Sequence, residues 1–157
     1  MLSSALRGAF AGFVASFPMT AVMFAVQPVL PRSSQIRPEP RIISDKLLQR
    51  ANLYQATDEH GRKFAALASH FAYGAGCGAV CAAVAGRRLE SSPSIGLLSG
   101  LLIWTTSYAG WLPATKILPP PQQRLPGRNV LLLAADSVWG LSLHAALRRT
   151  RRHTTRW

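Results

Sequence analysis

The chain has 157 residues, of which 48% are hydrophobic and only 15% are charged. Lys and Arg number 18 against 6 Asp and Glu, which gives a formal net charge of +12. Soluble domains carry about 25% charged residues, and disordered chains need low hydrophobicity. This composition therefore excludes a disordered chain, and the two cysteines, Cys77 and Cys81, are too few for a disulfide framework.

Four stretches of the chain are almost free of charge, and they decide the fold class. Residues 8–31, 64–86 and 91–115 contain no Asp, Glu, Lys or Arg, and residues 129–147 contain only Asp136. A membrane-spanning helix needs about 20 such residues. The sequence predicts an all-α fold, an integral membrane four-helix bundle with spans at about 8–30, 64–86, 95–113 and 129–147.

The first stretch could also be a signal peptide, with Arg7 as its charged region. Its apolar run is longer than the usual 7 to about 15 residues, and the sequence around Gln27 offers no small-x-small cleavage site. We therefore expect a retained membrane helix.

The chain also contains two similar halves. Residues 69–74 (SHFAYG) match residues 135–140 (ADSVWG), and each of these spans is followed by a pair of arginines. Gly8 and Gly12 of the first span align with Gly96 and Gly100 of the third at one constant offset. The alternative is chance, because small residues are common in membrane helices. We interpret the pattern as two tandem helical hairpins in the same orientation, which is a parallel internal repeat.

Glycines spaced four residues apart let helices approach closely. The predicted packing glycines are Gly8, Gly12, Gly74, Gly78, Gly96, Gly100 and Gly140. The same spacing can serve contacts within the chain or dimerisation, and contacts within the chain are the favoured interpretation.

The segment between the first two spans, residues 31–63, is predicted to be a non-cytoplasmic loop with a short helix. Ser44 is the expected cap of that helix, and Leu47, Ala51 and Tyr54 share one side. The helix is expected to lie on the membrane surface or to fold over the bundle. The connector from Pro119 to Arg128 is expected to be extended, with polyproline character.

Residues 148–157 form a basic tail. Arginines beside a helix end favour a cytoplasmic location and bind anionic lipid headgroups, so both termini are predicted to be cytoplasmic. Lipid accounts for the tail better than nucleic acid does, and no nucleic-acid partner is expected.

Ionisable groups inside a membrane helix are costly and need a partner or a function. The predicted polar seam between the helices consists of His70, Tyr73, Tyr108, Asp136 and His144. Asp136 and His144 lie eight residues apart, on one helix face. A pair between His70 and Asp136 could hold two helices together or could relay protons.

The sequence gives no sign of enzymatic chemistry. It contains no nucleotide fingerprint, hydrolase elbow or metal-ligand spacing, so neither a catalytic residue nor a metal or other cofactor is predicted. Two histidines could ligate haem, but His70 and His144 are expected to differ in depth by about 12 Å, too far for one iron.

Several motifs together suggest a family. They are His70-x-x-Tyr73-Gly74, Gly96-x-x-x-Gly100 followed by Trp104, Tyr108, Pro113 and Leu118-Pro119-Pro120, and Trp139-Gly140 with its arginine-rich exit. With these motifs the chain resembles the YagU-like family of small bacterial inner-membrane proteins, a domain of unknown function. The resemblance covers nearly the whole chain. It implies a multi-span protein of the bacterial inner membrane, and it implies no catalytic residue or cofactor.

The expected function is that of a structural or accessory membrane protein, which associates with lipid and with itself or a larger complex. The alternative is a small conduit for protons or a solute along the polar seam. A third interpretation is a membrane-anchored binding module that uses the loop from Arg32 to Lys63.

Overall fold

In the computed structural model, residues 2–30 and 38–154 are described. This part of the chain is helical and contains no strand. Its helices are α1 (Leu2–Val26), α2 (Glu39–Arg50), α3 (Glu59–Ser91), α4 (Pro93–Trp104), α5 (Leu112–Ala114) and α6 (Pro126–Thr154). A π-helix, Thr105–Trp111, joins α4 to α5, and short 3₁₀ turns lie at Gln27–Val29 and Pro121–Gln123.

Four helical segments are long enough and apolar enough to cross a membrane. They are Ser4–Val29, Glu59–Ser91, Pro93–Ala114 and Pro126–Thr150. Each contains one of the predicted charge-poor stretches or most of it. The observed helices extend beyond the predicted spans, because α3 begins at Glu59 and α6 begins at Pro126.

Local sequence explains where the helices begin. The Asp58 side chain accepts a hydrogen bond from the backbone N–H of Gly61 at 2.8 Å and so caps α3. Pro93 and Pro126 open α4 and α6, where their missing N–H costs nothing. Gly86 has a φ of +49°, a left-handed conformation that suits glycine, and it breaks α3 one turn before the chain reverses into α4.

Glycines bring the long helices together in two pairs. A Cβ atom at Gly12 of α1 would collide with the carbonyl oxygen of Gly74 on α3, and it would lie 2.9 Å from the Cα atom of Gly78. A Cβ atom at Gly100 of α4 would collide with the backbone carbonyl oxygen of Asp136 on α6. All seven predicted packing glycines face a neighbouring helix of the same chain in this way.

The two glycine-packed pairs differ in register. Gly12 lies against Gly74. In the proposed repeat, Gly12 corresponds to Gly100 and Gly74 corresponds to Gly140. Gly100 instead lies closest to Asp136, which is one helical turn before Gly140. The two pairs thus use the same kind of contact at positions one turn apart, and a duplication of the hairpin stays a prediction.

Helix α6 lies between α1 and α4 and contributes much of the core. Leu132, Ala135, Trp139 and Leu143 of α6 are all 2% exposed or less. The outer faces of the bundle are apolar as well. Large exposed hydrophobic side chains on these faces include Phe10, Phe17, Phe64, Val80, Val84, Leu98, Leu102 and Val130.

Helix α2 differs from its prediction. It begins at Glu39, five residues before the predicted cap Ser44, which is buried within the helix. Pro38 and Pro40 fix φ at values that suit a helix start, and this moves the beginning of α2 upstream. The helix ends at Arg50, so Ala51 and Tyr54 lie beyond it. It packs over the end of the bundle, against α3.

Two further segments differ from expectation. The connector after Pro119 contains the 3₁₀ turn Pro121–Gln123, with extended backbone only on either side, at Pro120 and Arg124. Helix α6 continues to Thr154 and so takes up much of the predicted tail. The predicted loop residues Arg32 and Arg37 and the tail residue Arg156 lie outside the described residues.

Candidate functional site

A cavity of about 340 Å³ lies between α1, α3, α4 with its π-helix, and α6. Four of the five residues of the predicted polar seam line it, namely His70, Tyr73, Tyr108 and Asp136. Pro40, Ile43 and Leu47 of α2 form the wall of this cavity at the loop end of the bundle. We call this space the central cavity.

Asp136 is the acidic residue among those that line the central cavity. Its side chain lies on α6 and the residue is 3% exposed. No described residue donates a hydrogen bond to its buried Oδ2 atom, and no described cation forms a salt bridge with it. A buried carboxylate without a partner lowers the free energy of unfolding by roughly several kcal/mol. Such a group is a candidate for binding something else.

Aromatic side chains form much of the cavity wall. Tyr108 and Trp139 are buried, at 8% and 2% exposure, and lie deep in the cavity. Tyr73 of α3 and Trp111 of the π-helix are 43% and 38% exposed. Tyr73 and Trp111 therefore bring one side of the cavity wall to the outer surface of the bundle, between α3 and the π-helix, and we call this side of the cavity its mouth.

Hydrogen bonds fix these rings. The indole N–H of Trp139 donates to the backbone carbonyl oxygen of Gly12 at 3.1 Å. The hydroxyl groups of Tyr73 and Ser107 lie 2.7 Å apart, and the indole N–H of Trp111 donates to the Tyr73 hydroxyl at 3.4 Å. The mouth is thus held by polar contacts between α3 and the π-helix.

The π-helix itself is a feature that the sequence analysis missed. Pro113 has no N–H to donate to the preceding turn. The hydroxyl groups of Thr105 and Thr106 donate to the carbonyl oxygens of Leu101 and Leu102, at 2.9 and 2.8 Å. The sequence feature that could have indicated it is the run Thr105-Thr106-Ser107 shortly before that proline. Hydroxyl side chains in such a run form hydrogen bonds with backbone carbonyl groups in place of the regular helical ones. Wide turns of this kind occur frequently at functional sites.

His70 lies where the central cavity meets a second cavity of about 460 Å³, which we call the outer cavity. Arg41, Glu59 and Lys63 line the outer cavity, so it is the more charged of the two. His70 borders both cavities, and its Nε2 atom lies 3.1 Å from the Thr20 hydroxyl.

The predicted pair between His70 and Asp136 is not formed. No hydrogen bond joins these two residues in the part of the chain that is described. The close contact of α1 with α3 brings Thr20 beside His70, and the histidine takes that partner instead.

His144 lies apart from the other four residues of the predicted polar seam. It is 6% exposed, and its Nδ1 atom lies 2.7 Å from the backbone carbonyl oxygen of Leu89. The contact of Gly96 with Gly140 closes the helix face between Asp136 and His144. His144 therefore joins α6 to the end of α3 and does not reach the central cavity.

A buried ion pair holds the beginning of α2. The Arg128 guanidinium donates to both carboxylate oxygens of Glu39, at 2.7 and 2.6 Å, and each side chain is 3% exposed or less. The sequence analysis treated both residues as loop charges, and no pattern in the sequence marks them as a pair.

Other charged side chains fix the rest of α2. Arg41 forms hydrogen bonds with Glu59 at 2.8 Å and with Asp45 at 3.0 Å, and these carboxylates, Glu59 foremost, raise the pKa of Arg41. At the other end of α2, Arg50 and Lys46 donate to the carbonyl oxygens of Thr115 and Lys116. The helix is thereby secured at both ends above the central cavity.

The two cysteines are free thiols. Cys77 lines the central cavity, whereas Cys81, one turn further along α3, does not. Within the described residues, no group of three or more His, Cys, Asp or Glu side chains is placed to hold a metal ion.

Comparisons with known proteins leave the site to be interpreted from its own geometry. No family model matches the chain, and neither a curated protein nor a solved structure is similar to it at a significant level.

Proposed function

We propose that the chain is a multi-pass membrane protein whose bundle consists of two related hairpins. Four sufficiently long apolar helices support this, and so do the large hydrophobic side chains exposed on the outer faces, such as Val84 at 84% and Val130 at 65%. Monomeric soluble proteins rarely expose such continuous apolar surface.

The proposed location is the bacterial inner membrane, with both termini in the cytoplasm. The four apolar helices support a membrane, and the bacterial inner membrane is what the resemblance to the YagU-like family implies. Arg87, Arg88, Arg148 and Arg149 lie close to the helix ends on the side of the termini, where they would contact anionic headgroups. A fluorescent protein fused to the carboxyl terminus should fluoresce in bacteria, because it would fold in the cytoplasm. A fusion that is inserted but remains dark would contradict this orientation.

We propose further that the protein binds a small solute in the central cavity, and that it is more than a structural element of the membrane. The observation that carries this proposal is the buried Asp136 carboxyl group, which lines a cavity and accepts no hydrogen bond at Oδ2 from the described residues. A purely structural seam would pair its buried polar groups.

A conduit for protons or a solute is the second candidate. It is favoured by the position of His70, which borders both the outer and the central cavity and so links charged groups at the loop end to Asp136. Beyond Asp136, Gly100 and Gly96 contact α6 directly, and a further cavity of about 410 Å³ near the termini shares no lining residue with the central cavity. A binding pocket that opens on one side fits this geometry better than a continuous path.

The two cysteines provide a test of the central cavity. In detergent micelles, methyl methanethiosulfonate should modify Cys77 by way of the central cavity, because reaction requires access to the thiol, and Cys81, which is also partly exposed but lies outside this cavity, reports access by other routes. The variants Cys81→Ala and Cys77→Ala isolate each thiol and serve as matched controls. Equal and slow modification of both thiols would contradict the proposed cavity.

Proton flux separates the two candidates. Liposomes that contain the protein should show no proton flux above that of empty liposomes if the cavity is a closed pocket. Flux that is lost in Asp136→Asn would instead favour the conduit.

A further inference from the structure

The chemistry of the central cavity identifies a class of ligand, and this inference rests on the proposed function. The cavity is large enough for a small organic molecule, since ligand pockets measure roughly 300 to 1,000 Å³. Its depth contains a carboxyl group, and its wall contains aromatic rings. Each of these features selects for a different property of the ligand.

The first property is a positive charge. Asp136 has no described cation as a partner, and burial makes an uncompensated carboxylate costly. The guanidinium of Arg124 lies 5.2 Å from the centre of the Tyr108 ring, and its Nε–H donates to the carbonyl oxygen of Pro119. This arginine forms no salt bridge with Asp136. A cationic ligand would supply the missing counter-charge.

The second property is an apolar body. Tyr108 and Trp139 lie deep in the cavity, and Tyr73 and Trp111 lie at its mouth. The faces of such rings attract cations, and the attraction is stronger where water is excluded. The rings also provide apolar surface for the rest of the ligand.

The third property is entry from the lipid. Tyr73 and Trp111 reach the outer surface of the bundle between α3 and the π-helix, and the outer surfaces of α3 and α4 expose Val80, Leu98 and Leu102 at more than half. In a membrane this mouth would meet hydrocarbon. A ligand that arrives there has already partitioned into the bilayer.

We propose that the central cavity binds a lipophilic organic monocation, with its charged centre at Asp136 and its apolar groups against the four aromatic rings. A strongly hydrated ion would not enter by the lateral mouth, and an anion would be repelled by the carboxylate.

Tetraphenylphosphonium and tetraphenylborate test this proposal, because they share one shape and carry opposite charges. The full chain in nanodiscs of zwitterionic lipid should bind tetraphenylphosphonium saturably, at one per chain. It should not bind tetraphenylborate saturably. Equal saturable binding of the two ions would overturn the proposal.

Two matched pairs of variants locate the binding. Asp136→Asn should weaken binding of tetraphenylphosphonium at least about tenfold, since a charged contact is lost, and Asp136→Glu should retain most of the affinity. Trp111→Leu should weaken binding about three- to tenfold. Phe10→Leu, which changes an exposed aromatic residue outside the cavity wall, should leave it unchanged. Binding that is unaffected by Asp136→Asn would refute the cation site.

Labelling of Cys77 distinguishes failure of this inference from failure of the proposed function. Bound tetraphenylphosphonium should slow modification of Cys77. If Cys77 reacts rapidly but only neutral apolar molecules protect it, the cavity stands and the ligand class is wrong. If Cys77 does not react, both the cavity and its ligand are refuted.

Discussion

The helices pack differently at the two ends of the bundle. At the end near the termini, Gly78 and Gly96 place helix backbones in contact, and His144 finds a partner in the Leu89 carbonyl oxygen. At the loop end, Tyr108 and Trp111 occupy a wide helical turn, and Asp136 lines a cavity. Both ends contain a cavity, but the one near the termini is lined by Arg7, Arg87 and Glu90, whereas aromatic rings and the Asp136 carboxyl group line the central cavity.

The surroundings of each end agree with this division. Near the termini, Arg7 forms an ion pair with Glu90 at 3.1 Å and a hydrogen bond with Thr150 at 3.3 Å, so three helices are joined directly. At the loop end, the helices are spanned by a separate element, α2. One end is joined by contacts between the long helices, and the other is covered by α2, which polar contacts hold together with Ile42 and Ile43, packed against the core.

Filling a glycine contact should produce the largest effect. In Gly100→Leu the new side chain would collide with the backbone of Asp136, which cannot move without separating α4 from α6. We expect a loss of about 5 kcal/mol or more in the free energy of unfolding, enough to prevent assembly of the bundle. Size-exclusion chromatography and thermal unfolding in detergent would measure it.

Gly76→Leu is the matched control for this change. A Cβ atom at Gly76 would meet nothing within 4 Å, so the same substitution there should leave the bundle folded. If both variants fold equally well, the glycine contacts do not determine the packing.

Breaking the buried ion pair of α2 should produce the next effect. Glu39→Gln leaves the Arg128 guanidinium buried beside a neutral amide, which typically costs about 3–5 kcal/mol. Glu59→Gln removes an exposed carboxylate from its contacts with Arg41 and Arg62 and should cost much less than the loss of the buried pair, because solvent screens the exposed charges. Chemical unfolding would give both values.

Limited proteolysis sharpens the same comparison. Cleavage within α2 should accelerate in Glu39→Gln while the four long helices remain intact. An unfolding free energy equal to that of Glu59→Gln would show that the buried pair does not secure α2.

The long helices could be predicted from sequence because lipid-facing surfaces impose a simple rule: charges are absent for about 20 residues. The packing glycines could be predicted for a similar reason, since few other residues permit backbone contact. These features depend on local composition, which a single sequence displays directly.

The site could be predicted only in part. His70, Tyr73, Tyr108 and Asp136 of the predicted polar seam line one cavity, whereas His144, which the shared helix face also placed in the seam, lies apart from it. Whether two polar groups on different helices form a pair depends on the distance between the helices and on how the helices are shifted along their axes. A shift of one helical turn is enough to separate the two groups. The Glu39–Arg128 pair depends on how α2 folds back over the bundle, which no short-range pattern records.

Two buried polar residues on the same face of α6 provide the finest comparison of the two ends. Replacing Asp136 with Leu removes a carboxyl group that lacks a full set of partners and adds apolar volume beside the central cavity. We expect the free energy of unfolding to rise by about 1–2 kcal/mol, although solute binding would be lost. His144→Leu instead leaves the Leu89 carbonyl oxygen buried without its partner, and it should lower that free energy by about 1–3 kcal/mol.

Opposite signs of the two changes in the free energy of unfolding, measured in one detergent, would mark the loop end as the functional end, because stability is given up only there. Equal destabilisation by both changes would mean that Asp136 serves packing as His144 does, and the distinction between the two ends would be lost.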